Sequence, residues 1–229
     1  RRLIQMIEKN TLTEWNKTLS TKTPSEIIIW ALNQANGHAI VSTNFRPYEV
    51  VLLDLVTKID NQIPVLWVDH GYNRHATYRY AEDLRKRLNL NIKAFLPRIS
   101  AAHRDAIYGP LPSLDDENAL KVFSAQMKLE PFHRGMRELA PKVWITALRK
   151  SQNTNRATLD IVSYDTNFNT IKVNPLLNQD DSELEQYLAE HNLPNEWDYF
   201  DPAKADEKRE CGLHASWGNK AVELTEKNA

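Results

Sequence analysis

Cysteine is nearly missing from this 229-residue chain: Cys211 is the single example. One thiol excludes an internal disulfide framework, and without a cysteine cluster no iron-sulfur centre is expected. Glycine is scarce too, with six in all, and none lies in Ser42-Thr43-Asn44-Phe45-Arg46-Pro47, a run that otherwise reads as an anion-holding turn. No apolar stretch approaches the roughly 18 residues needed to cross a bilayer. The basic Arg1-Arg2 start is not followed by a signal-peptide core, so a reducing, cytoplasmic setting is expected, with no membrane partner. Charge of one sign is missing as well: 29 Lys and Arg stand against 30 Asp and Glu. That balance gives no global field for gathering nucleic acid, so any anionic partner is expected to be small and locally held.

What is present is an alternation of helical and strand-like segments. Thr23-Pro24-Ser25-Glu26 supplies a cap, a proline at the first helical position and a glutamate three residues after the cap, predicting a helix over Ile27 to Ala35. Strands are expected at His38 to Ser42, Pro64 to Asp69, Asn91 to Leu96 and Val143 to Leu148, with shorter ones at Asp160 to Tyr164 and Thr170 to Val173. Helices are expected at Pro47 to Ile59, His75 to Leu88, Ser100 to Tyr108, Asn118 to Lys128, Pro131 to Leu139 and Asp181 to His191. Such alternation predicts an α/β fold: an open, mostly parallel, twisted sheet of about five strands flanked by helices. The organisation is N-terminal helices over 1–36, an α/β body over 37–192 and a mobile tail over 193–229 carrying Cys211, one domain overall. The apolar segments Leu3 to Ile7 and Ile27 to Trp30 offer a face for a homodimer, or for packing within the chain.

In open parallel sheets ligands collect beyond the carboxyl ends of the strands. Ser42, Thr43, Phe45 and Arg46 follow the first strand, where hydroxyls, amides and a helix N-terminus are able to hold an anion; the same run also reads as an ordinary capped turn. Asp69, Gly71 and Tyr72 follow the second, with Asp69 suited to accept from a nucleobase or ribose, or simply to close a turn. Arg149 follows the fourth, with Arg156 seven residues on, and paired guanidinium forks suit phosphate or sulfate. Lys128 adds a further basic group or a solvated helix end. His70 and His75 read as polar surface residues, Trp67 and Trp144 as core or cleft wall, and Trp197 and Trp217 as flanking the tail. Cys211 lies in Lys208-Arg209-Glu210-Cys211-Gly212-Leu213-His214; Lys208, Arg209 and a protonated His214 favour the thiolate whereas Glu210 opposes it. Cys211 and His214 have no second ligand pair, so no metal site is expected.

Together these residues make the chain resemble the phosphoadenylyl-sulfate (PAPS) reductases of the adenine-nucleotide alpha-hydrolase-like superfamily. The resemblance runs from about Ile40 to His214. Glu210-Cys211-Gly212-Leu213-His214 matches the family's C-terminal motif, supported by Ser42 and Phe45, by Asp69, Gly71, Tyr72 and Thr77-Tyr78, by Tyr108-Gly109, and by Lys128 with Glu130-Pro131 and Arg134. Leu148-Arg149 and Arg156 complete the set. It implies that the Cys211 thiolate attacks the sulfonyl sulfur of PAPS or a related adenine nucleotide, with Glu210 and His214 beside it. Lys128, Arg149, Arg156 and His214 would balance charge on the phosphosulfate. Reduced thioredoxin or glutaredoxin would be the electron donor and partner, with no bound cofactor, and a homodimer is expected.

The pocket departs from the family pattern. Arg46-Pro47 stands where a glycine usually follows the phenylalanine, and His70 where a threonine is usual. Ala147 replaces a glycine before Leu148-Arg149, and Asn153-Thr154-Asn155 replaces small residues before Arg156. Two other readings are an ATP pyrophosphatase or adenylyl-transferring enzyme, for which the Ser-Gly-Gly-X-Asp-Ser loop is missing, and a non-catalytic nucleotide-binding protein.

Overall fold

The capping signature at Thr23 is realised: its hydroxyl accepts from the Glu26 amide at 3.3 Å while the Glu26 carboxylate accepts from the Thr23 amide at 2.8 Å. The computed structural model describes residues 9–113, 115–152 and 154–202. Helices α1 (Lys9–Leu19) and α2 (Pro24–Ala35) precede β1 (Ala39–Thr43), α3 (Glu49–Ile59), β2 (Pro64–Val68), α4 (His75–Arg87) and β3 (Asn91–Phe95). Then come α5 (Ala101–Tyr108), α6 (Glu117–Ser124), a π-helical turn (Ala125–Leu129) and α7 (Glu130–Leu139). The chain continues through β4 (Val143–Ile145), 3-10 turns at Lys150–Gln152 and Thr154–Arg156, β5 (Val162–Asp165), β6 (Thr170–Val173) and α8 (Asp181–Glu190).

The strands form one six-stranded sheet in the order β3-β2-β1-β4-β6-β5. Every neighbouring pair is parallel except β5 with β6. The sheet takes in all six segments read as strands, with the short β5 as its antiparallel edge. Strand order reverses between β1 and β4, so the crevice that such a reversal opens lies beyond their carboxyl ends. Alternation sorts the side chains: Val41, Val65, Val143, Ile145 and Val173 join the core formed with α2, α3, α4 and α8. Ile40, Leu66, Val68 and Trp144 instead meet Phe132 and Met136 of α7 on the opposite face. Each such side chain, fully buried, contributes about 1.5–3 kcal/mol.

Two expectations are corrected. The strand over Val143 to Leu148 ends at Ile145, because the Thr146 hydroxyl donates to Asn174 Oδ1 at 2.6 Å and accepts from the Leu148 amide at 3.3 Å. The Thr146 amide still donates to the Val173 carbonyl at 2.9 Å, but the Leu148 amide takes the Thr146 hydroxyl instead. The helices predicted on either side of Leu129-Glu130 are one continuous rod. The Glu130 amide reaches back five residues to the Ala125 carbonyl, and the widened turn brings Pro131, which has no amide hydrogen to donate, into the first turn of α7. Of the apolar segment Ile27 to Trp30, Ile27 and Ile28 pack into this chain's own core while Ile29 is 47% exposed. Asn16 of α1 likewise turns inward, donating to the Val162 carbonyl at 2.8 Å and accepting from the Val162 amide at 2.9 Å. It thereby covers the open edge of β5. Leu3 to Ile7 lie outside the described residues.

Candidate active site at the carboxyl edge of the sheet

The loop after β1 is built around a carboxylate. Glu49 Oε2 accepts from the Thr43 hydroxyl at 2.8 Å, the Asn44 amide at 2.8 Å and the Arg46 amide at 3.2 Å. The donors that the sequence offers to an external anion are thus engaged from the first turn of α3. Phe45 adopts the left-handed backbone (φ 57°), and its ring is fully buried, edge-on to Trp67 at 5.1 Å and to Tyr80 at 6.4 Å. This side chain is core and sets the loop's course. Ser42 points to the other face of the sheet, where its oxygen accepts from Trp144 Nε1 at 2.8 Å. Arg46 lies over the Tyr199 ring at 5.5 Å.

After β2, Asp69 Oδ1 accepts from the Gly71 amide at 3.1 Å and from the Tyr78 hydroxyl at 2.6 Å. Burial, then the bond to Asp69, pushes the Tyr78 phenol above its ordinary range. Glycine is needed at 71: φ is +80°, and a Cβ there would sit 3.0 Å from Ala101 Cβ. The Tyr72 hydroxyl donates to Asp105 at 2.6 Å and its ring packs on Phe123 at 5.3 Å. His70 is not a surface residue: it is 4% exposed and its Nδ1 accepts from the Tyr72 amide at 3.1 Å. Burial, and secondarily the charge of Lys128, pushes its pKa down to about 4, so the imidazole is neutral at neutral pH with its proton on Nε2. His75 is exposed as expected.

The expected cations are buried, and each faces an oxygen. Lys128, 2% exposed, donates to both Asp201 oxygens at 2.7 Å. Arg149, 5% exposed, donates to Asp181 Oδ1 at 2.5 Å and Ser151 Oγ at 3.1 Å, and lies over the Tyr48 ring at 5.1 Å. Arg156, also buried, donates to Gln152 Oε1, which accepts from the Arg149 amide as well. Two groups result: Arg149 with Arg156 around Gln152, and Lys128 with His70 and Asp201. Glu130, beside Lys128 in sequence, is raised by burial but bonded at 3.0 Å to Arg134 and 3.1 Å to Arg98, which together hold its carboxyl below the usual range. Glu49, His70, Gln152, Asp181 and Asp201 were not foreseen. Glu49 carried a signal, an acidic residue in a first helical turn after a donor-rich loop. Asp201 carried none, being 73 residues from its partner. Glu210, Cys211 and His214, with Trp217, lie outside the described residues.

The segment after α8 crosses this edge. The Tyr48 amide donates to Asn195 Oδ1 at 2.8 Å, Trp197 packs edge-on to Tyr48 at 5.4 Å, and the Tyr80 hydroxyl donates to the Pro194 carbonyl at 3.2 Å. Arg74 pairs with Asp198 and lies 5.5 Å from the Phe200 ring.

Comparison with known proteins places this arrangement. The phosphoadenosine phosphosulfate reductase domain model matches residues 38–197. A Synechococcus phosphoadenosine 5'-phosphosulfate reductase is 31% identical over 89% of this chain and 97% of its own length. A Vibrio cholerae protein of the same name is 32% identical over 89% of this chain and 88% of its own. Among solved structures, a Candida auris PAPS reductase in a phosphate complex covers 83% of this chain and 90% of that one at TM-score 0.72 and 23% identity. A Candida glabrata FMN adenylyltransferase, at TM-score 0.53 and 15% identity over 84% of this chain and 62% of its own, shares the fold. The chain therefore belongs to the phosphoadenosine phosphosulfate reductase family and is an oxidoreductase of that family.

Proposed function

We propose that this protein reduces phosphoadenylyl sulfate to sulfite. The observation that carries the reading is the burial of Lys128, Arg149 and Arg156 at the carboxyl edge of the sheet, beside its strand-order reversal. Buried cations are costly to hold without anions; Asp181 and Asp201 meet Arg149 and Lys128 within the chain, and the phosphosulfate and bisphosphate of this nucleotide would take up the same donors. In the reaction the Cys211 thiolate attacks the sulfonyl sulfur; a sulfur-sulfur bond forms, the sulfur-oxygen bond to the phosphate breaks, and adenosine 3',5'-bisphosphate leaves with the bonding pair. The enzyme then carries S-sulfocysteine. A thiolate of reduced thioredoxin or glutaredoxin attacks the Cys211 sulfur and expels sulfite. The donor's second thiol resolves the mixed disulfide, so the donor is oxidised and Cys211 returns as a thiol.

Lys128, Arg149 and Arg156 stabilise charge that builds on the leaving phosphate. His214 and Glu210 adjust the thiolate, and Asp69 orients the nucleoside. No bound cofactor or iron-sulfur cluster enters these steps. Cys211→Ser is expected to abolish sulfite formation with thioredoxin while leaving the affinity for adenosine 3',5'-bisphosphate within about twofold. Sulfite release by the serine variant at the wild-type rate would refute the role of the thiol. Parallel titration with PAPS, adenylyl sulfate and ATP tests substrate choice in a pocket altered at Arg46-Pro47 and His70.

A further inference from the structure

The edge of the sheet carries donors suited to anions, and three sets of them are met by a carboxylate of the same chain. Glu49 takes the loop amides, Asp181 takes Arg149, and Asp201 takes Lys128. The third differs in kind. Glu49 and Asp181 belong to the first turns of helices that pack into the core, whereas Asp201 lies in an irregular segment with neither helix nor strand among the described residues. That segment, residues 193–202, touches Tyr48 and Arg46 of the β1–α3 loop, Arg74 and Tyr80 at α4, and then Lys128. It therefore runs along the carboxyl edge of the sheet past the β1–α3 loop and α4, and the Lys128–Asp201 pair is the most buried of these contacts, with side chains 3% and 6% exposed.

We propose that Asp201 is an internal stand-in for the ligand's anion, so that an incoming sulfate or phosphate group exchanges with it on Lys128 and releases the 193–202 strap. This deepens the reading above, since it assigns the order of events at that same site. The physical basis is that a buried ammonium cannot stay without a counter-anion, and a tetrahedral dianion offers more charge and more acceptor oxygens than one carboxylate. Ligand binding then acts through differential affinity: the anion binds the strap-released state and not the strap-held one.

Hydrogen exchange of the full chain tests this with inorganic sulfate alone, titrated against sodium chloride at equal ionic strength. In the wild type, sulfate is expected to speed exchange in peptides covering 194–202 by about tenfold or more, with the β-sheet unchanged. In Asp201→Asn those peptides exchange fast from the start and do not respond to sulfate. Should loss of the Asp201 charge prevent that variant from folding, Lys128→Gln/Asp201→Asn removes both charges and is expected to show the same fast, unresponsive strap. Slower or unchanged strap exchange with sulfate in the wild type would overturn the proposal. PAPS turnover is measured separately: a sulfate-released strap on a protein that yields no sulfite would sink the reductase reading and leave the exchange mechanism standing.

Discussion

His70 shows how one side chain records its surroundings. A polar residue in a strand-end turn reads as exposed, yet here it is enclosed between the Tyr72 amide and the Lys128–Asp201 pair, and its pKa falls to about 4 from 6.5 because burial, then Lys128, disfavours its charge. The folded state therefore binds fewer protons than the unfolded state between those values, and the contribution of neutral His70 is intact above pH 6.5 and lost as pH falls toward 4. The loss amounts to about 3 kcal/mol. His70→Asn keeps an acceptor near Nδ1 but does not titrate. Urea midpoints from neutral to acid pH are expected to fall more steeply for the wild type than for the variant, and parallel curves would contradict the assignment. The same residue marks a limit of local sequence reading: no neighbour of His70 in the chain announces Asp201 or Lys128. Phe45 is the converse case, a motif residue whose match suggested ligand contact but whose ring is enclosed by Trp67 and Tyr80.

At the scale of elements, the close seat of α7 on the sheet depends on Gly135, where a Cβ would come within 2.9 Å of both Leu66 Cδ1 and Phe95 Cδ2. Alanine would gain about 1 kcal/mol in helix propensity, but overpacking a filled core costs about 1–3 kcal/mol. Gly135→Ala is expected to lower stability by about 1 kcal/mol in urea unfolding, and a rise in stability would show that α7 stands farther from the sheet. Elements of this kind were largely legible. Caps such as Thr23 and Asp180, and the apolar runs of β1 and β2, act within a few residues, so helix and strand positions emerge from the chain itself. The early end of β4 was not legible, because it turns on Thr146 meeting Asn174 across the sheet. Nor was the rod joining α6 to α7, since Pro131 normally argues for a break and the π turn that accommodates it has no simple sequence mark.

For the whole molecule, sequence placed Arg149 and the Asp69 turn at strand ends, and the parallel order of the sheet gathers those ends on one edge. What the sequence could not supply was the set of internal carboxylates, Glu49, Asp181 and Asp201, that answer the donors gathered there. Their pairing depends on the packing of α3 and α8 and on the course of the 193–202 strap, all of which are properties of the assembled fold. In the function proposed above, this edge presents an activated sulfate to the one thiol in the chain. Intact-protein mass after incubation with phosphoadenylyl sulfate, without any thiol donor, tests it most directly. A single added sulfonate on the wild type, absent from Cys211→Ser and removed by reduced thioredoxin, is the predicted result; an unchanged wild-type mass alongside demonstrable nucleotide binding would contradict it.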